Sequence, residues 1–305
     1  MNSSQTQTLS STAAAGDTSF SGGSTTAEKS ALSGQDPASD FTSENGCAKQ
    51  YQGAYAAATR QDKSRAVWVK SGQAYRKRKD TGLPILMYHY FYDPSKGEHP
   101  AKVNADNYMD IDKFEAEVAW LCREHFYFPT WPEVEGYFEG RCELPKHSVV
   151  LTSDDGQKSF FSEAVPVVER YAAQGARITG NVIGDKFKKK YLRAYDPNVV
   201  SFQSHTYAMH VPGANGARGR MLTSSSAQIE ADARRMDGLL GHYVACCYPY
   251  GSVTPKIEQA LKAAGVKLGL AIINRRAHAN DDPLAIPRVR MEASQTLATF
   301  KAVVS

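Results

Sequence analysis

The pattern of apolar and polar positions predicts a region of alternating strands and helices in the later part of the chain. Six short apolar runs predict buried strands: LPILMY, HSVVLT, ARITGNVI, VVSFQS, YVACCYP and VKLGLAII. Between them, apolar residues at helical spacing predict helices in DIDKFEAEVAWLCREH, SEAVPVVERYAAQG, SSSAQIEADARRMDGLLG and TPKIEQALKAAG. Asp112 is the expected N-cap of the first helix, and Gly175 is the expected end of the second. This alternation favours a parallel α/β sheet or barrel.

The first part of the chain shows no such pattern. Residues 1–50 are rich in Ser, Thr, Gly and Ala, with too few large apolar side chains to offset the entropy of ordering, so we expect a disordered tether. Residues 51–82 are expected to form a linker or peripheral segment that ends near a basic run, Arg76 to Lys79. This run is either a solvated linker or a contact for an anionic wall or membrane surface. We expect one folded domain over residues 83–305.

Composition limits the function classes. The net charge of +4 is too small and too dispersed to favour a nucleic-acid partner. No apolar stretch reaches the length of a membrane span, which is roughly 20 residues, and residues 1–20 lack the basic start and apolar core of a signal peptide. The cysteines form no CxxC pair, so a zinc knuckle is not indicated. Cys122 and Cys142 would be able to pair in an exported protein, and free buried thiols are the alternative.

Unusual polar residues follow four of the predicted strands. These residues are His89, the pair Asp154 and Asp155, the pair His205 and His210, and Tyr250. Each one alone has an ordinary explanation as a turn or surface residue. Because the carboxyl ends of parallel strands meet at one edge of a sheet, we expect these side chains to lie together. Two imidazoles and one carboxylate form a ligand set for a divalent metal with open positions.

The spacing of these residues sets conditions on the local backbone. Residues five apart in a helix are rotated by about 140° from one another, so His205 and His210 can share one ion only on a turn or loop. Adjacent residues of a strand face opposite sides. Asp154 and Asp155 can therefore converge only if the strand ends there, and Gly156 permits the necessary bend.

Three motifs resemble those of a known family. LTSDDG, SHTYAMH and CYPYG are similar, in this order, to the three motifs of the polysaccharide deacetylases, carbohydrate esterase family 4 with the NodB-homology domain. The resemblance runs from Leu83 to about Phe300. The extra residue between the two histidines, together with ILMYH near the start of the domain, is similar to the circularly permuted branch that deacetylates poly-β-1,6-N-acetylglucosamine. The resemblance implies a distorted, circularly permuted (β/α) barrel of about seven strands.

The resemblance also implies roles for the candidate residues. Asp155, His205 and His210 would hold one divalent metal, with zinc expected and cobalt, nickel or iron as alternatives. Asp154 would be the general base and His89 the general acid, and the backbone N–H of Tyr250 would stabilise the oxyanion.

Two further features concern the surroundings of the base and the substrate. Ser204, Pro249 and Arg288 are the residues expected to bind substrate. Cys247 stands where many family members have an arginine that orients the catalytic Asp, and Arg288 in IPRVRM is the candidate to replace it.

The implied function is removal of acetyl groups from an N-acetylglucosamine polysaccharide outside the cytoplasm, by a protein expected to be monomeric. Peptidoglycan and chitin oligomers are alternative substrates, and a non-catalytic carbohydrate-binding relative is a third hypothesis. Aromatic residues that would stack on sugar rings, or else pack in the core, are Tyr90, Phe91, Tyr92, Trp131 and Tyr207.

Overall fold

The computed structural model describes residues 66–68, 80–100, 104–214 and 218–305. The predicted tether, Cys47, the basic run from Arg76 to Lys79 and most of the predicted linker lie outside these residues. The short described part of the linker pairs with the folded domain, because Val67 lies opposite Glu143 in an antiparallel ladder. Among the described residues, no helix has both the length and the apolar character needed to cross a membrane.

The described chain alternates strands and helices as the sequence predicts. The strands are β1 (Val67–Trp68), β2 (Ile85–Tyr88), β3 (Tyr90–Tyr92), β4 (Tyr108–Asp110), β5 (Cys142–Glu143), β6 (Val150–Ser153), β7 (Ile178–Val182), β8 (Val200–Ser204), β9 (Ala245–Cys247), β10 (Leu268–Leu270) and β11 (Val289–Arg290). The α-helices are α1 (Ile111–Arg123), α2 (Trp131–Phe138), α3 (Val165–Arg170), α4 (Arg220–Thr223), α5 (Ser226–Leu240), α6 (Pro255–Ala263) and α7 (Leu297–Val304).

Seven strands form one parallel sheet in the order β10-β9-β8-β7-β6-β2-β11. The chain around β11 also reaches the opposite edge. The amide of Ile286 donates to the carbonyl of Gly269 in β10 (2.7 Å), and the amide of Met291 donates to the carbonyl of Met87 in β2 (3.1 Å). The sheet is therefore curled, with one segment linking its two edges. This arrangement confirms the predicted distorted barrel of about seven strands.

Helices cover the curled sheet because their apolar faces pack on it. Phe114, Val118 and Leu121 of α1 are fully buried in the largest apolar cluster, together with Leu151 of β6. The predicted N-cap of α1 was wrong by two residues. Asp110 is the cap, since its carboxylate accepts a hydrogen bond from the amide of Asp112 at 2.9 Å.

The sequence pattern did not predict α2, β11 or α7. Helix α2 begins with a capping box in which Thr130 and Glu133 exchange hydrogen bonds, and its Trp131 is a core residue whose Nε1 donates to Thr179 (2.9 Å). Cys122 is a free thiol, so the disulfide with Cys142 that the sequence left open is not formed.

Candidate active site

The two adjacent carboxylates lie where β6 ends, and the backbone separates their directions. Asp155 has φ 71° and Gly156 has φ 60°, both in the left-handed region that L-residues seldom adopt. A Cβ atom on Gly156 would lie 2.9 Å from Cγ1 of Val182, so only glycine fits without displacing a neighbour. This turn lets the carboxylates of Asp154 and Asp155 contact different neighbours. The strand ends at this pair, as the sequence required. Backbone strain of this kind is concentrated at functional sites.

Asp155, His205 and His210 form a compact cluster. Oδ1 of Asp155 lies 3.2 Å from Nε2 of His210 and 3.4 Å from Nε2 of His205. The three ligand atoms lie within 4.8 Å of one another. The residues between the two histidines are not helical, and Thr206 has φ 67°. The structure thus meets the loop condition that the five-residue spacing imposed.

Neighbouring groups orient the ligand atoms of this cluster. Nδ1 of His205 lies 2.9 Å from the carbonyl oxygen of Cys247, which can only accept a hydrogen bond, so Nδ1 carries the proton. In the neutral ring this leaves the lone pair on Nε2, directed at the cluster. The hydroxyl of Tyr90 donates to Oδ2 of Asp155 at 2.8 Å. Burial raises the pKa of Asp155, but hydrogen bonds from His205 and His210 outweigh it and hold the pKa well below its ordinary range.

Arg288 holds the other carboxylate from both sides. Its guanidinium donates to Oδ1 of Asp154 at 2.8 Å and to Oδ2 at 2.9 Å, a bidentate pair with both side chains buried. Nδ2 of Asn181 also donates to Oδ1 (2.8 Å), and the thiol of Cys247 lies 3.2 Å from Oδ2. Burial raises the pKa of Asp154, but the charge and hydrogen bonds of Arg288 dominate and keep it well below its ordinary range.

A second group of ligand atoms shares His205 and consists of Asp154, His205 and Cys247. The guanidinium of Arg288 already lies against this group, at 2.9 Å from Oδ2 of Asp154 and 3.0 Å from Sγ of Cys247. A metal ion there would be repelled by that fixed positive charge. The cluster of Asp155, His205 and His210 is therefore the better candidate for a cation, and its two imidazoles and one carboxylate fit a borderline divalent metal.

His89 lies beside the buried carboxylate. Its Nε2 is 4.0 Å from Oδ2 of Asp154. Its Nδ1 is buried, and no group among the described residues is within hydrogen-bond distance of that atom. Burial lowers the pKa of His89, and the charges of Asp154 and Asp155 offset this only in part.

Tyr250 lies at the opening of the cluster. Its ring stacks on His210 with the centroids 4.7 Å apart, and its side chain is 36% exposed. Its backbone is left-handed (φ 57°), which turns the chain after β9 towards the histidines. The structure thus brings together all six residues predicted for catalysis and metal binding: Asp154, His89, Tyr250, Asp155, His205 and His210.

The three residues predicted to bind substrate are buried. Ser204 accepts a hydrogen bond from the amide of Thr206 (3.0 Å), and Pro249 lies in the turn before Tyr250. The side chain of Arg288 is occupied by Asp154 and by the carbonyl of Ala271 (3.0 Å). We therefore assign Arg288 to the positioning of Asp154 and not to contact with substrate.

Sequence reasoning missed Asn181 and the contact of Tyr90 with Asp155. Asn181 had a detectable signal, because it is an amide inside the otherwise apolar run ARITGNVI, and a buried polar side chain needs a partner. For Tyr90 the sequence left open sugar stacking or packing in the core, and neither includes the hydrogen bond to Asp155. Its position directly after His89 was the available signal.

A curled parallel α/β sheet with a histidine–carboxylate cluster at its strand ends defines the class of this domain. Residues 141–269 match the sequence model of the family described as polysaccharide deacetylase. Residues 141–269 therefore carry the sequence features of a polysaccharide deacetylase domain.

Two staphylococcal proteins are similar in sequence to more than half of this chain. Poly-beta-1,6-N-acetyl-D-glucosamine N-deacetylase of Staphylococcus aureus strain MRSA252 is 26% identical over 240 residues, which covers 70% of this chain and 80% of that protein. The protein of the same name from Staphylococcus epidermidis is 27% identical over 208 residues, covering 63% and 71%.

Solved structures share the fold. The Streptococcus pyogenes deacetylase PplD in complex with acetate superposes with a TM-score of 0.63 at 23% identity, covering 74% of this chain and 100% of that chain. IcaB from Ammonifex degensii gives a TM-score of 0.59 at 22% identity, covering 73% and 95%.

Proposed function

We propose that this protein is a metal-dependent N-deacetylase that removes acetyl groups from a poly-β-1,6-N-acetylglucosamine type of exopolysaccharide. One observation carries the proposal: a buried carboxylate held by Arg288 lies directly beside a cluster of two imidazoles and a carboxylate. The names of the staphylococcal relatives support the substrate class. Deacetylation of peptidoglycan or chitin oligomers is the alternative that the same site chemistry allows.

The metal would be held by Asp155, His205 and His210, with zinc as the proposed ion. When bound there, a divalent ion would supply Lewis-acid chemistry for the polarisation of water and of the acetamide carbonyl. Tyr90 and the carbonyl of Cys247 fix the orientation of two of the ligands. Mutation of such outer partners typically costs about 10-fold to 100-fold in metal affinity or activity.

Residues of this chain carry out the proton transfers and stabilise the oxyanion. Asp154 accepts the proton of the attacking water at Oδ2, the oxygen nearer to His89. His89 then donates a proton from Nε2 to the departing amine, so that base and acid roles are divided across the site. The backbone N–H of Tyr250 stabilises the oxyanion. The products are acetate and a glucosaminyl residue in the polymer. Since such polymers lie outside the cytoplasm, we propose an extracytoplasmic site of action.

The test is acetate release from a β-1,6-linked and a β-1,4-linked N-acetylglucosamine oligomer, measured side by side with added Zn²⁺. We expect faster release from the β-1,6 oligomer. Asp154→Asn should keep metal bound and lose acetate release, because only the base is removed. His205→Ala should lose both. His89→Ala should slow turnover without loss of metal.

Each outcome has a defined meaning. Near-normal turnover by Asp154→Asn would remove Asp154 as the base, and unchanged rates for His89→Ala would point to another acid. Faster release from the β-1,4 oligomer would favour peptidoglycan or chitin as the substrate. Absence of acetate release from both oligomers, with metal bound, would favour a non-catalytic carbohydrate-binding protein.

A further inference from the structure

The segment 205–210, here called the histidine loop, has to present two imidazoles without help from regular secondary structure. Its first turn is left-handed at Thr206, with φ 67°. A loop of this kind leaves backbone amides that need partners when they are not exposed to water. The partners that the structure provides therefore determine where His205 and His210 lie.

Asp232 provides two of these partners from a distant element. It lies within helix α5 and is 8% exposed. Its Oδ1 accepts a hydrogen bond from the amide of Tyr207 at 2.7 Å, and its Oδ2 accepts one from the amide of Ala208 at 2.8 Å. One carboxylate thus binds two consecutive amides at the centre of the loop. Hydrogen bonds from amides to an ionised carboxylate are stronger than those between neutral groups.

The helix that carries Asp232 is well fixed. Ser225 and Gln228 form a capping box at its start, and Ile229, Ala233 and Met236 bury its inner face. A rigid helix holds its carboxylate more accurately than a loop would.

Further contacts keep the loop against its other neighbour. The amide of Gly184 donates to the carbonyl of Thr206 (3.0 Å), and the amide of Asp185 donates to the carbonyl of Tyr207 (2.8 Å). The guanidinium of Arg235, one turn along from Asp232, lies 4.0 Å from the ring centroid of Tyr207. The loop is therefore held between the chain after β7 and helix α5.

We propose that Asp232 is a positioning residue for the metal site, which sets the spacing of His205 and His210 by binding the loop between them. The inference rests on the proposed metal site, and it assigns Asp232 no contact with metal or substrate. Removing the carboxylate frees the amides of Tyr207 and Ala208, so that the two imidazoles lose their common geometry. The expected primary effect is on metal affinity, with the chemical step affected only through it.

The experiment compares Zn²⁺ and Co²⁺ affinity of the wild type, Asp232→Asn and Asp232→Ala by calorimetry on metal-free full-length protein. Outer partners of metal ligands typically contribute about 10-fold to 100-fold in affinity. We expect that range of loss for Asp232→Ala. A smaller loss is expected for Asp232→Asn, because its one amide oxygen can accept hydrogen bonds while its NH₂ group cannot. The absorption spectrum of bound Co²⁺ should change in the same order.

Asp237→Ala is the matched control, since Asp237 lies on the same helix, is half exposed and contacts His242 instead of the loop. It should keep wild-type metal affinity. Urea unfolding of the metal-free variants separates positioning from general stability. If Asp232→Ala is less stable but binds both metals with wild-type affinity, Asp232 is merely structural and the proposal is overturned. An identical loss of metal affinity for Asp232→Ala and Asp237→Ala would overturn it as well.

The positioning role of Asp232 and the proposed deacetylase function can be tested separately. Saturating Zn²⁺ should restore most of the acetate release of Asp232→Ala. Its acetate release should be lower than that of the wild type only when the Zn²⁺ concentration is limiting. A wild type that binds metal but releases no acetate would contradict the proposed function and leave the affinity series intact. A deficit that persists at saturating Zn²⁺ would overturn the assignment of Asp232 to metal positioning.

Discussion

At the scale of single residues, the main finding is the buried pair of Asp154 and Arg288. A buried ion pair offsets its desolvation cost only when the geometry is good and the remaining polar atoms are satisfied. Here the pair is bidentate, and Asn181 and Cys247 take up the further acceptor positions on Asp154. The arginine beside Asp154 thus comes from the residue just before β11 and not from the CYPYG motif, and the carboxylate stays charged and fixed.

Replacement of Arg288 by lysine should reduce activity strongly although the charge is kept. Lysine cannot form the planar bidentate pair, so Asp154 would shift relative to the cluster of Asp155, His205 and His210. Misplacement of a catalytic group by about 1 Å can cost on the order of 100-fold in rate. We expect a loss of kcat/KM of about that size in the acetate-release assay. Arg290→Lys, two residues further along the chain and paired with Asn107, is the control and should retain activity. Equal losses would argue against a specific role for Arg288.

Glu117 should make stability depend on pH. The side chain is buried and accepts a hydrogen bond from Tyr88 at 2.7 Å, and burial raises its pKa to about 8 against an ordinary value of 4.5. Between these two values the folded protein holds a proton that the unfolded chain has released. Stability therefore falls as pH rises through this window, by at most about 1.4 kcal/mol for each pH unit.

Glu117→Gln removes this proton and keeps an acceptor for Tyr88. In urea unfolding of the metal-free protein we expect the variant to gain stability over the wild type at about pH 9, with a much smaller gain at about pH 5. The exposed Glu124 offers a control, since Glu124→Gln should leave the difference between the two pH values unchanged. A wild type and Glu117→Gln with parallel pH profiles would contradict the prediction.

At the scale of elements, the turn after β6 and the histidine loop position the candidate metal ligands. Both contain residues with left-handed backbone at or next to these ligands, namely Asp155, Gly156 and Thr206. Regular strands bring the chain to the edge of the sheet, and the irregular turns then aim the side chains. The strain of these turns is balanced by hydrogen bonds from neighbouring elements, among them those to Asp232 of α5.

Gly156→Ala should destabilise the turn and weaken metal binding together. A left-handed backbone costs an L-residue about 1–2 kcal/mol, and the new Cβ would lie 2.9 Å from Val182. We expect a loss of at least that size in urea unfolding, and lower Zn²⁺ affinity because Asp155 is the preceding residue. Gly238→Ala provides an opposite control in α5, where nothing lies within 4 Å. It should stabilise the protein by up to about 1 kcal/mol without changing Zn²⁺ affinity.

Predictability from sequence differed between kinds of element. Strands such as β6 and β7 were predictable because they are continuous apolar runs, and α5 because it has both a cap and an apolar face. Strand β11 is only two residues long and contains Arg290, so its pattern carries no signal. Arg288 was the candidate partner of Asp154 through the family resemblance, and Asn181 carried the signal of an amide inside an apolar run. The contact of Asp232 with the histidine loop was not predictable, since the tertiary fold alone brings these residues together.

At the scale of the whole molecule, the curled sheet gathers the ends of β2, β6, β8 and β9 at one edge. Every residue predicted for catalysis or metal binding comes from the chain just after one of these four strands. This convergence was predictable from strand order and the general location of sites in parallel α/β folds. The closing segment at 286–291, which links the two edges, was not predictable, because its hydrogen bonds depend on how far the sheet curls.

That closing segment also bears on how the protein folds. Arg288 and Asp154 are separated by 134 positions along the chain, and contacts of such long range form slowly. Until the segment enters between the two edges, the Asp154 carboxylate has no arginine beside it. Closure of the sheet and pairing of the Asp154 carboxylate with its arginine are thus one event. A molecule in which this segment is not in place would lack the group that fixes the proposed base, so closure of the barrel is a precondition for the proposed activity.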